Sequence, residues 1–165
     1  MTMRRFSQLL RNERGAAAAE MALMVPLLVT LMFGSFELGN YFWSEHKVVK
    51  GVRDAARFAG RQSFTKFSCS AVTDTTALTQ IKNLARTGQI SGGTTKVGGW
   101  VDANVTVAVS CASGTQTGIY KGMTNGAPIV TVTAAVAYPS LFQTLGFTSN
   151  TLTLNATSQS AVMGI

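Results

Sequence analysis

An apolar segment near the N-terminus constrains this chain more than any other feature of its sequence. The segment runs from Ala16 to Phe36, and Glu20 is its only charged residue. The run Met21–Phe36 has 16 residues without a charge. Together with Ala16–Ala19 it reaches about the 20 residues that a helix needs to cross the core of a bilayer. A core helix of a soluble protein is usually shorter and has a polar face. We therefore expect a membrane-spanning helix, with a buried soluble helix as the alternative.

The residues before this segment form a basic leader, residues 1–15. Four arginines and one glutamate give it a net charge of +3, from Arg4, Arg5, Arg11, Arg14 and Glu13. A removed secretory signal would end in a small-x-small cleavage site directly after the apolar run. No good site of that kind follows Phe33, because the small residues there have bulky or charged neighbours two positions earlier. We therefore expect the apolar helix to stay attached to the rest of the chain.

The composition argues against an enzyme. Only 13% of the residues are charged, and His46 is the single histidine, between Glu45 and Lys47. This position suits a surface or interfacial residue better than a catalyst. The sequence also lacks paired carboxylates and a phosphate-binding loop. We expect no catalytic residue, no cofactor and no metal site.

Two cysteines, Cys69 and Cys111, are too far apart for a CxxC metal or redox motif. An even pair is typical of the oxidising side of a membrane, so we expect a disulfide, with two free thiols as the alternative. Basic residues on both sides of the apolar segment leave its orientation open. The cysteines favour a C-terminal part outside the cytoplasm.

The rest of the chain shows helical and then strand-like patterns. The long helix is expected to continue to about Arg61, with apolar residues at Phe42, Val49, Val52, Ala56 and Ala59. A second helix is predicted over Asp74–Arg86, capped by Asp74 or Thr73 and ended by Gly88. Three alternating runs predict strands, at Val101–Val109, Ile129–Tyr138 and Thr151–Thr157.

These elements predict an α+β fold in which a small antiparallel sheet packs on the outer half of the long helix. The expected organisation is a leader at 1–15, a transmembrane helix at 16–36, a helix extension at 37–62 and an extracytoplasmic α+β domain at 63–165.

A basic stripe lies along the helix extension. It consists of Lys50, Arg53, Arg57 and Arg61, spaced by three or four residues on the helix. We expect a solvated face or a contact with anionic lipid headgroups. Nucleic-acid binding is the alternative, since adjacent cations can neutralise phosphates, but no base-reading motif supports it.

The start of the apolar segment resembles a known processing site. The run from Arg14 through Gly15 and Ala16 to Glu20 is similar to the prepilin peptidase site of type IV pilin-like proteins. With Phe36-Glu37-Leu38-Gly39 and the Ala/Arg-rich run Val52–Gly60, the chain resembles the TadE-like family of the Tad (tight adherence) pilus. The likeness covers Arg14–Gly60. It departs from the family pattern at Met21, where an aromatic residue is common.

The resemblance implies a minor pilin or pseudopilin in the bacterial inner membrane. A prepilin peptidase would cut between Gly15 and Ala16, leaving 150 residues with a charge of +4, since the leader removes +3 from +7. Its partners would be other pilin subunits, the assembly machinery and membrane lipid, in a pilus used for adhesion and biofilm formation.

Glu20 would then neutralise the new Ala16 amine of a neighbouring subunit and set the register. From its position alone, Glu20 could equally favour the N-terminal helix dipole. The alternatives to a pilin are a single-pass anchored binding or adhesion domain and a DNA-binding pilin.

Overall fold

A computed structural model describes residues 15–114, 116–143 and 152–164 of the chain. Within them, helix α1 spans Ala16–Gly60 and helix α2 spans Thr75–Thr87. Strands β1, β2 and β3 span Val105–Ala112, Ala127–Ala137 and Thr153–Ala161. A long apolar helix followed by a small antiparallel sheet confirms the predicted α+β class.

The chain divides into two compact units between Gly39 and Asn40. In the first unit, α1 is long and apolar enough to cross a membrane, and none of its most apolar window is buried within the chain. Pro26 lies inside this part of the helix. It removes one amide donor, yet α1 continues through it without interruption.

The second unit is built on the C-terminal part of α1. One face of this part is buried, and most of its members are small: Ser44, Val48, Gly51, Val52, Ala55, Ala56, Ala59 and Gly60. We call it the buried face of α1. The sequence predicted the burial of Val52, Ala56 and Ala59 correctly. Phe42, however, is 58% exposed, and Val48 rather than Val49 is fully buried.

The sheet has the order β1-β2-β3, with antiparallel pairs throughout. In β2, alternate residues are buried, at Val130, Val132, Ala134 and Val136. They join the buried face of α1 and Ile81 of α2 in one hydrophobic cluster. The period of two in the sequence therefore marks the side of the sheet that faces the helices.

The predicted ends of α2 are confirmed by its caps. The Asp74 carboxylate accepts hydrogen bonds from the backbone amides of Thr76 (2.8 Å) and Ala77 (3.3 Å). Gly88 follows the helix with φ at 85°, a left-handed conformation that favours glycine.

The first predicted strand begins too early. Asp102–Asn104 form a 3-10 turn, and β1 starts only at Val105. The reason is local, because the Asn104 side-chain oxygen accepts a hydrogen bond from the Val101 amide at 2.9 Å. A side chain that satisfies a backbone donor in this way competes with the ladder of a sheet. β3 in turn runs on to Ala161, beyond the predicted end at Thr157.

Two glycines allow the backbone of α1 to approach its neighbours closely. A Cβ added at Gly51 would collide with the carbonyl oxygen of Ala85 in α2, and would lie 3.0 Å from the Trp100 ring. A Cβ added at Gly60 would collide with the Ser160 hydroxyl in β3. The helix-to-helix and helix-to-sheet distances therefore depend on these two positions.

We expect Gly51→Ala to destabilise the protein, although alanine favours helix more than glycine does. The new methyl meets a backbone atom that cannot rotate away, and such overpacking costs about 1–3 kcal/mol. Thermal unfolding of the full chain in detergent should show a melting temperature several degrees lower. Gly114→Ala is the control, because nothing lies within 4 Å of a Cβ at that glycine. An unchanged melting temperature for Gly51→Ala would contradict the close approach.

Candidate functional site

The residues of the expected processing site lie at the start of α1. Ala16 is the first residue of the helix, and Gly15 directly precedes it. Both are exposed, as is Glu20. The leader arginines and the rest of residues 1–14 lie outside the described residues.

Ala16 and Glu20 are four residues apart, which places them on the same side of a helix, one turn from each other. A second helix that approaches this side would meet both positions. No ion pair involving Glu20 is present within the described part of the chain.

The basic stripe is fully on the surface. Lys50, Arg53, Arg57 and Arg61 are all exposed. The two ion pairs seen among the described residues, Lys66–Asp74 at 3.8 Å and Arg86–Asp102 at 2.6 Å, do not use them.

A negative charge lies beside this stripe. Asp54 lines a shallow cavity of about 320 Å³ together with Arg57, Phe58, Arg61 and Leu84. A carboxylate among the cations weakens the attraction for a polyanion such as DNA, whose binding depends on phosphate neutralisation. The mixed charge fits a solvated face or a headgroup contact better than a nucleic-acid groove.

Lys96 is a further charged residue near this face, and no sequence pattern indicated it. Its pKa is lowered, chiefly because burial penalises the charged form; Asp54 raises the pKa and Lys50 lowers it. Lys96 lies in the Gly-rich connection after α2, and its amide donates to the Arg86 carbonyl at 2.9 Å. The connection is thus folded close to the charged side of α1.

Cys69 and Cys111 form a disulfide in the structure. The bond joins the turn that follows α1 to the end of β1, across a sequence separation of 42 residues. The predicted pairing of the two cysteines is therefore present. It links a segment next to the helix with the edge strand of the sheet.

We expect reduction of this disulfide to lower the free energy of unfolding by about 4 kcal/mol, from the chain entropy of a loop of this length. Urea unfolding of the full chain in detergent, with and without reductant, measures the difference. The double variant Cys69→Ser/Cys111→Ser should behave like the reduced protein and be insensitive to reductant. Identical midpoints for oxidised and reduced protein would show that the bond does not constrain the unfolded chain.

A polar and aromatic junction at the start of the second unit is not predicted by any sequence pattern. The Asn40 amide donates hydrogen bonds to the Tyr138 hydroxyl at 2.9 Å and to the Pro139 carbonyl at 3.3 Å. The rings of Tyr41 and Tyr138 meet edge to face, with 5.2 Å between their centroids. The partners are 98 residues apart, so no local pattern could have paired them.

Comparison with known proteins identifies the class of the N-terminal part. Residues 15–57 match the family model described as TadE-like protein. The matched region contains Gly15, Ala16, Glu20 and three of the four stripe residues, and it ends inside α1. The resemblance inferred from the sequence is therefore confirmed. Searches of curated proteins and of solved structures found no match.

The match supports a protein associated with a Tad pilus. Proteins of this family are structural rather than enzymatic. Within residues 15–114, 116–143 and 152–164, no group of three or more potential metal-ligating side chains is present. The sheet, the disulfide and Arg61 lie beyond the matched residues.

Proposed function

We propose that this chain is a minor pilin or pseudopilin of a Tad-type pilus, made with a leader that a prepilin peptidase removes after Gly15. The observation that carries the proposal is the TadE-like match over residues 15–57, which begins at the proposed cleavage site. Further support comes from the exposed Gly15–Ala16 junction at the first residue of α1.

The apolar part of α1 supports an assembly role. Residues 16–36 are all exposed, so the described chain does not bury this apolar surface. Apolar surface of this extent needs lipid or other helices to cover it. In the membrane the segment anchors the protein, and in a pilus the same segment packs against the helices of neighbouring subunits.

Glu20 provides the register in this proposal. Cleavage after Gly15 gives Ala16 a cationic amine at the end of an apolar helix. Glu20 of a neighbouring subunit neutralises that amine, so one pair offsets the desolvation of two charges. Only one axial offset between neighbouring helices brings the two groups together.

The second unit then lies outside the cytoplasm, where the disulfide is stable. It presents the sheet and α2 to pilus partners, and the pilus serves surface adhesion. A chain of 150 mature residues is large for the main subunit of such a filament, so a minor or initiating position fits it better.

The N-terminus of the protein recovered from native membranes tests the processing step. We expect a start at Ala16, seen by N-terminal sequencing and by intact mass. Gly15→Val should leave the leader attached, whereas Gly34→Val in the same helix should be cleaved normally. A Cβ added at either glycine has nothing within 4 Å among the described residues. A wild-type start at Met1, in cells with an active prepilin peptidase, would instead indicate a single-pass anchored domain.

Glu20→Gln tests the register. The variant should insert and be cleaved normally but be lost from the sheared pilus fraction. An amine left without its partner in an apolar bundle costs on the order of 3–5 kcal/mol. Glu45→Gln is the matched control, a carboxylate on the same helix beyond the apolar segment. Recovery of Glu20→Gln in pili at the wild-type level would refute the charge pair.

A further inference from the structure

The sheet has two edge strands, β1 and β3, which run in the same direction. Each is antiparallel to the central strand β2, so the two edges are parallel to each other. Among residues 15–114, 116–143 and 152–164, no fourth strand continues the sheet on either side. Both edges therefore have a side that β2 does not occupy.

Alternate backbone groups of β3 point away from β2. The Tyr138 amide donates to the Leu152 carbonyl, and the Val162 amide donates to the Pro128 carbonyl, both at 2.9 Å. In an antiparallel pair, residues bonded to the neighbouring strand alternate with residues whose N–H and C=O face the other side. Because both bonds come from directly opposite residues in the register, the even-numbered residues of β3 bond to β2. The outward-facing backbone groups include those of Asn155, Thr157 and Gln159.

β1 has the same arrangement on the opposite edge. The even-numbered residues of β2 bond to β3, so its odd-numbered residues bond to β1, and the register pairs Thr133 with Thr106. The odd-numbered residues of β1 therefore face outward. The Val105 amide confirms this direction, since it donates to the Asp102 carbonyl rather than to β2. The other outward-facing backbone groups are those of Val107, Val109 and Cys111.

The hydrophobic core is open at both edges. On the helix-facing side of β2, Val130 and Val132 are fully buried. Val107 of β1 and Ala156 of β3 also pack against the core, but each is only half-buried. A further strand beside either edge would complete the burial of these two side chains.

No charge or proline protects the edges. β1 and β3 contain neither, although natural edge strands commonly carry charges or proline that prevent pairing with another chain. The whole chain has a net charge of +7, so two copies repel each other overall. An uncharged edge is a place where two such copies can come close.

We propose that β3 of one copy pairs in parallel with β1 of a second copy and continues the sheet. Because the two edges are parallel, the copies keep the same orientation, as the subunits of a filament do. The pairing sets Ala156 beside Val107 of the next copy on the helix-facing side. On the outer side, Asn155 then lies beside Thr106 of the next copy.

This contact is heterologous, because each copy uses two different surfaces, and it repeats into a ring or an open row. A row of a few copies leaves one β3 edge and one β1 edge available at its ends. The inference depends neither on leader cleavage nor on the Glu20 charge pair. Its failure would therefore leave the proposed function unchanged.

Disulfide crosslinking between introduced cysteines tests the pairing. The full chain carrying Thr106→Cys/Asn155→Cys is reconstituted in phosphatidylcholine/phosphatidylglycerol vesicles and oxidised with copper phenanthroline. The native Cys69–Cys111 bond is already formed and stays intact without reductant. Within one copy β2 separates the two new cysteines by more than about 9 Å, which is beyond the reach of a disulfide.

We expect dimers, trimers and larger species on non-reducing gels. The matched control is Thr106→Cys/Gln159→Cys, in which both positions are also exposed but lie four residues out of register between copies. It should crosslink at least about tenfold more slowly, because the sulfurs cannot meet without movement of the backbone. Equal rates for the two pairs would indicate random collision and overturn the proposal.

A proline at the edge gives a second test. Thr157→Pro removes an outward-facing amide, and proline is tolerated at such edge positions. Added to Thr106→Cys/Asn155→Cys, it should leave the melting temperature within a few degrees and abolish the larger crosslinked species. Their persistence in a folded Thr157→Pro variant would contradict pairing through the β3 backbone.

Other occupants of the β3 edge give different products. Antiparallel pairing of β3 with β3 of a second copy would crosslink the single variant Thr157→Cys into dimers, with no larger species from the double variant. If another protein takes the edge, Asn155→Cys in native membranes crosslinks one copy to that protein, and the vesicles show no multimers. Either result refutes the pairing of β3 with β1.

Discussion

The approach of α1 to its neighbours, backbone against backbone, is the constraint on which the domain depends. A 45-residue helix supplies both the apolar segment and the centre of the domain core. Gly51 permits contact with the Ala85 carbonyl, and Gly60 permits contact with β3. Because most residues of the buried face of α1 are small, α2 and the sheet pack close to the helix axis. Larger side chains come from the other elements, with Trp100 and Ile81 among the largest fully buried.

The pattern of apolar and charged residues changes along this helix. Its first part is apolar on all sides, as expected for contact with lipid or with other helices. Its second part is sorted into a buried face and a charged face that carries the basic stripe. The change of pattern coincides with the division of the chain after Gly39. The TadE-like match covers both parts and ends before the sheet, so the shared feature is the helix rather than the domain it supports.

Features with a local cause could be predicted from the sequence. The length of α1, the caps of α2 at Asp74 and Gly88, and the alternation in β2 depend on neighbouring residues, and all are present. The errors also have local causes, such as the Asn104 side chain that delays β1. The Asn40–Tyr138 junction and the packing space at Gly51 depend on residues far apart in the chain. A single sequence carries no signal for them, because periodicity reports which face is buried and not what covers it.

The position of the disulfide has a mechanical consequence. If the chain is built into a filament, as proposed, tension on the filament enters the chain through α1. The bond between Cys69 and Cys111 encloses α2 and most of β1 in a covalent loop with a sequence separation of 42 residues. Tension passes from one sulfur to the other and bypasses that loop. If the domain is pulled apart, about 140 Å of chain therefore stays unextended. The loop therefore adds no length when the rest of the domain unfolds, and the segment after α1 stays tethered to β1.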